Sequence, residues 1–154
     1  MKKLTALLIS SVLLFGAAAC GTDTAKTSSD APSSTEKAAP APSSDSTKAT
    51  QEDAQSETRR RQANADIKAR EERNNALNAG DANNRSDTDL ASQVRSKLEV
   101  NIPNGQLVVK SDKGTVTVSG TVPKQDQLAK IEPLAKEIKG VKAVDNKATV
   151  ATPK

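Results

Sequence analysis

The chain has 154 residues and a formal net charge of +4, with no His, Trp or Tyr, one Phe and one Cys. A Ser-His-Asp triad, a Cys-His pair and an ordinary zinc site all lack essential members here. The stacking platforms of single-strand nucleic-acid binders lack their rings, and the length allows one small domain with a tail.

Met1-Lys2-Lys3 precedes an apolar run from Leu4 to Phe15. That run is too short for a permanent membrane helix, which takes about 20 residues, so residues 1–19 read as a signal peptide. Gly16-Ala17-Ala18-Ala19 puts small residues directly before Cys20, which resembles a lipobox, although Ala17 stands where Leu is more usual. The other reading, cleavage after Ala-x-Ala, leaves an unpaired thiol in an oxidising compartment. Cys20 is therefore the expected lipidation site, and two or more acyl chains there hold a protein stably at a membrane. Gly21, where Asp would resemble an inner-membrane retention signal, favours the outer membrane, with the chain facing the periplasm.

Residues 20–56 are rich in Ser, Thr, Ala and Pro and hold no Leu, Ile, Val, Met or Phe, so they read as a disordered tether. Residues 57–85 form a charged spacer. Glu57/Arg61 and Asp66/Arg70 have i,i+4 spacing that supports a helix, but Ile67 and Leu77 make no apolar stripe, so a helix here would stand alone in solvent. Arg59-Arg60-Arg61 is offset by neighbouring acids. As flexible coil, residues 21–85 would span about 40–50 Å, a leash for the C-terminal domain.

From residue 86 the pattern becomes that of a folded unit. Ser86-Asp87-Thr88-Asp89 has the form of a capping box, and Leu90, Ala91, Val94 and Leu98 then share one helical face. Leu107 to Lys110 reads as a strand, Ser111-Asp112-Lys113-Gly114 as a tight turn, and Thr115 to Val122 as a strand alternating Thr or Ser with Val or Gly. A second helix is predicted over 124–139, with Leu128, Ile131, Leu134, Ala135 and Ile138 inward. Pro133 kinks it on the polar face. Val141 to Val150 supplies the last strand.

This α-β-β-α-β order resembles the BON domain of osmotically induced periplasmic proteins. The resemblance is carried by Gly114, Val116, Val118, Gly120 and Val122, then Ala129 and Ala135, then Gly140, Val141, Val144, Asn146 and Val150. It implies an α+β fold over residues 86–152, a small mixed three-stranded sheet packed against two helices, after a disordered N-terminal stem. Physically, Gly114 serves the turn, Gly120 ends a strand where a side chain would obstruct the next helix, and Gly140 caps a helix in left-handed backbone. The family is regarded as phospholipid- or envelope-binding rather than enzymatic, and no cofactor or metal is expected for this chain.

Residues 86–154 hold eleven basic and eight acidic groups. Lys130, Lys136, Lys139 and Lys142 cluster on or just after the second helix, with Lys124 at its start, and these five are the candidate contacts for anionic headgroups. Glu132 and Glu137 among them also suit an ordinary solvated face. Asp81, Asn83, Asp87 and Asp89 lack the Gly and terminal Glu of a calcium loop and read as capping residues. Nucleic acid is no routine partner for an exported chain. Two functional readings stand: a module contacting anionic phospholipid, supporting envelope integrity under osmotic stress, and a periplasmic adaptor for another envelope protein, membrane-bound only through acylated Cys20. Peptidoglycan association through the stem is a third.

Overall fold

The structure, a computed structural model, describes residues 24–36 and 56–151. Cys20, the signal peptide and much of the tether lie outside the described residues. The elements are strand β1 (Thr24–Lys26), helix α1 (Glu57–Asn78), helix α2 (Asp87–Asn101), strands β2 (Gln106–Asp112) and β3 (Thr115–Val122), helix α3 (Gln125–Lys136) and strand β4 (Ala143–Val150).

Helix α2 begins at Ser86, whose hydroxyl accepts the Asp89 N–H at 3.1 Å. Only half of the predicted box forms, because the Asp89 carboxylate turns instead to Arg70 and Arg73. Leu90, Ala91, Val94 and Leu98 are all buried, as the 3.6-residue spacing predicts. The β2–β3 hairpin closes through Lys113 (φ 51°) and Gly114 (φ 84°). Two successive positive φ values give a turn whose twist suits a two-residue hairpin. Strand β4 pairs parallel with β3 after the α3 crossover, which is the connection a parallel neighbour requires. On the helix-covered face, Leu107, Val109, Val116, Val118 and Val122 meet Leu90, Val94, Leu98, Ile131, Ala135 and Ile138 in an aliphatic core.

The sheet has four strands, in the order β1-β2-β3-β4, rather than three. The extra strand comes from the stretch read as a tether: Thr24, Ala25 and Lys26 pair antiparallel with Lys110, Val109 and Val108. Beyond it, Thr27 Oγ1 donates to the Gly105 carbonyl and accepts the Leu107 N–H, each at 2.8 Å. Ser119 Oγ reaches back to the Thr35 carbonyl at 2.8 Å. Ala31 and Pro32 are buried, and so are Gln106, Val108, Ser119 and Thr121 on the sheet face turned away from the helices. Residues 24–36 therefore hold on through backbone and hydroxyl groups, without the large apolar side chains whose absence suggested disorder.

Helix α1 corrects the spacer in the same way. It starts at Ser56, whose side chain caps Arg59 N, and stops at Ala79 in left-handed backbone. The predicted pairs Glu57/Arg61 and Asp66/Arg70 both form. The helix nevertheless does not stand alone, since it docks on α2 through polar groups. Arg70 bridges Asp66 and Asp89, Arg59 meets the buried Glu99, Ser96 Oγ donates to Asp66 at 2.9 Å, and Gln93 Nε2 donates to the Ile67 carbonyl at 3.0 Å. Gln93, Ser96 and Glu99 are buried on α2, so that helix presents apolar groups to the sheet and a polar strip to α1.

Three local expectations also change. Helix α3 ends at Lys136, not Lys139: Pro133 has no N–H to bond the preceding turn, and only one further turn forms before short-range bonds Ile138 N to Ala135 O and Val141 N to Ile138 O take over. Gly140 (φ 101°) therefore turns the chain into β4, while Glu137 is the C-cap. Gly120 lies within β3 rather than at its end, and a Cβ there would stand 2.0 Å from the Gln106 carbonyl oxygen. Its constraint is the neighbouring strand, not the next helix.

Candidate functional site

The five candidate lysines do not form one cluster. Lys124, Lys130 and Lys136 are exposed along α3, a helix about 18 Å long. Lys130 faces Asp126 at 3.8 Å and Lys136 pairs with Glu132 at 2.6 Å, both one turn back on the same helix. Lys139 Nζ donates to the Gly80 carbonyl at 2.8 Å, which ties the end of α3 to the end of α1. Lys142 lies at the other end of the crossover, where its backbone N–H bonds the Gly114 carbonyl at 2.8 Å. Of the motif positions, Val116 and Val118 are core residues and Val144 packs against that core. Asn146 Nδ2 donates to the Leu128 carbonyl at 3.4 Å, and its Oδ1 accepts the Ala148 N–H at 3.1 Å. Asn146 therefore links β4 to α3.

A cleft of about 340 Å³ opens beside Lys142, with Lys113 and Arg85 on its walls and Leu90, Gly114 and Gly140 lining it. The Arg85 side chain is 3% exposed. Its guanidinium donates to Glu71, to Gln93 Oε1 at 3.1 Å and to the Lys139 carbonyl, so α1, α2 and the α3–β4 turn meet around it. Asp87 closes the other side: it accepts Ser111 Oγ at 2.7 Å, Lys113 N at 2.9 Å and Gly114 N at 3.3 Å. Partial burial works against its ionisation. The Lys113 N–H, the Ser111 hydroxyl, the Gly114 N–H and the Lys113 charge outweigh that effect and hold its carboxyl below the usual range.

Asp87 and its acidic neighbours thus have separate structural tasks. Asp81 accepts the Asn83 N–H at 2.8 Å in the loop, Asp87 fastens the hairpin to α2, and Asp89 binds α1. The sequence reading missed Arg85, Lys110 and Lys113. The parallel β3–β4 register, which sets Ala143 opposite Thr115 and brings Lys142 beside the hairpin, was the signal that would have grouped the last with Lys142. No helix among the described residues is long and apolar enough to cross a membrane.

Residues 86–152 match the family model of the BON domain, and the chain is a BON-domain protein. That family is associated with phospholipid binding and osmotic-stress proteins and is generally non-enzymatic. No curated protein and no solved structure matches the chain.

Proposed function

We propose that the chain is an envelope lipoprotein, acylated at Cys20 and facing the periplasm from the outer membrane, whose BON domain contacts anionic phospholipid without catalysing a reaction and so supports envelope integrity under osmotic stress. The observation that carries this reading is the BON match over residues 86–152, downstream of a leader ending in small residues and Cys20. The acyl chains supply attachment, and the domain supplies headgroup contact that depends on lysine charge.

The test is flotation of residues 21–154, which lack Cys20, with anionic and zwitterionic vesicles at low and physiological salt. Selective flotation with anionic vesicles that fades as salt shortens the Debye length to about 8 Å is the expected result. Flotation with neither vesicle removes headgroup contact from the proposal and leaves Cys20 as the membrane link.

The adaptor reading draws support from the outer edge of β4, the last strand of the sheet and eight residues long. Its backbone offers a place for a partner's strand, although the exposed Asp145–Lys147 pair on it is of the kind that discourages casual edge pairing. A photocrosslinker at Asn146 should trap one envelope protein if this edge recruits a partner. A crosslink pattern no different from that of a probe on exposed Leu77 would count against it.

A further inference from the structure

We infer that one end of the domain, formed by the β2–β3 hairpin, the start of β4 and the mouth of the Arg85 cleft, is the surface that faces the bilayer, and that it binds anionic phospholipid headgroups. This deepens the preceding proposal and rests on its membrane attachment, but it places the contact away from the α3 lysines.

The path of the chain points to this end. Strand β1 runs antiparallel to β2 with Thr24 opposite Lys110 and Lys26 opposite Val108, so the chain enters the sheet from the hairpin end. Cys20 precedes Thr24 by four residues, which span at most about 14 Å when fully extended. An acyl group on Cys20 therefore holds the bilayer within that distance of the hairpin edge, because the first contact of the chain with the domain comes before any long leash.

The distribution of charge points to the same end independently of the chain path. Lys110, Lys113 and Lys142 are exposed, and none of them enters a salt bridge among the described residues. The α3 lysines 130 and 136 instead face carboxylates on their own helix. The acids at this end are largely committed: Asp87 is occupied by Ser111 and two turn N–H groups, Asp145 pairs with Lys147 at 3.2 Å, and Asp112 is the remaining exposed carboxylate of the hairpin. Lys113 and Lys142 line the same cleft as Asp87, so a headgroup phosphate at its mouth meets two ammonium groups against one carboxylate, which is already hydrogen-bonded to Ser111 and the turn N–H groups. Buried Arg85 keeps its own partners and serves as the wall behind them.

Two matched variants of residues 21–154 test the assignment: Lys110→Gln/Lys113→Gln/Lys142→Gln and Lys124→Gln/Lys130→Gln/Lys136→Gln. Both remove three positive charges, so a difference between them reports placement rather than net charge. In flotation with phosphatidylglycerol-containing vesicles the first should lose affinity roughly tenfold or more and the second no more than about twofold. Equal losses, or the reverse order, overturn the assignment. A second measurement uses the acylated full chain, whose Cys20 thiol is blocked, with a fluorophore on Asp112→Cys or Asn101→Cys, exposed positions at opposite ends of the domain. Brominated lipid should quench the label at position 112 and spare that at 101; equal quenching, or quenching at 101 alone, overturns it. The two proposals fail separately. Wild-type 21–154 that does not float removes headgroup binding from both, with quenching at 112 then supporting only the facing end. Flotation with equally affected variants keeps the lipid reading and discards this site.

Discussion

Asp87 shows how one side chain can join three elements. From the first turn of α2 its two oxygens hold Ser111 on β2 and the N–H groups of both turn residues, Lys113 and Gly114. Hydrogen bonds to an ionised acceptor contribute about 1.5–3 kcal/mol each before solvent exposure is allowed for, so Asp87→Asn should cost about 1–2 kcal/mol at pH 7. Its folded-state pKa lies below the ordinary value of about 3.9. The associated stability is therefore fully present above that value and is lost as pH falls through the lower, folded-state one. Urea midpoints of wild type and Asp87→Asn should differ at pH 7 and draw together as pH falls below the ordinary carboxylate value. A constant gap would assign the cost to altered shape rather than to charge. At Gly120 the outcome is harsher, because an added Cβ would overlap the Gln106 carbonyl and the backbone sits at φ 123°. Gly120→Ala should lose about 3 kcal/mol or more, read as a lowered melting temperature, and a near-neutral result would mean that the β2–β3 spacing relaxes freely.

At the scale of elements, the informative piece is α1. Helices in proteins are stabilised mostly by packing an amphipathic face, and this one has no apolar face to bury beyond Ala63 and the half-buried Ile67. Its docking rests on the Arg70 fork between Asp66 and Asp89, with the Gln93 and Ser96 bonds beside it. Burial opposes the Arg70 charge, but the two carboxylates outweigh that effect and raise its pKa, so the guanidinium side of the fork stays charged. Arg70→Ala should destabilise by about 1–2 kcal/mol, and a double-mutant cycle with Asp89→Ala should recover a coupling of about 1 kcal/mol. Zero coupling would show α1 to be held elsewhere. These groups also mark the limit of what the sequence discloses. The α2 stripe, the Val116/Val118 alternation and the Lys113-Gly114 turn were legible because apolar period and glycine placement report directly on local geometry. The docking of α1 and the pairing of β1 were not, since Arg, Asp, Gln and Ser have no period that names a partner, and Thr24 to Thr35 binds through backbone and the Thr27 hydroxyl, which no sequence pattern singles out. The candidate surface fell between these cases: the lysines are visible in sequence, but the β3–β4 register decides which of them share an end.

For the whole molecule, the family match and the packed body have different boundaries. The match begins at residue 86, yet Arg85 is buried against Glu71, Gln93 and Lys139, Glu99 receives Arg59, and the β2 edge carries β1. A fragment of residues 86–154 would leave Gln93, Ser96 and Glu99 without their α1 partners and would open the β2 edge and the Val108 face to water. Losing charged partners of buried groups is costly even where the pair itself contributes little, and exposing apolar strand surface adds about 25 cal/mol per Å². The fragment should therefore be several kcal/mol less stable than residues 21–154, with a lower urea midpoint and a smaller m-value. It should also self-associate through the uncovered β2 edge. Identical midpoints would mean that residues 24–36 and α1 merely rest on the domain, and the short path from Cys20 to the hairpin would no longer fix which end meets the membrane. If the difference appears, the N-terminal region is part of the fold, and under the proposed acylation of Cys20 the strand it supplies would orient the sheet at the membrane.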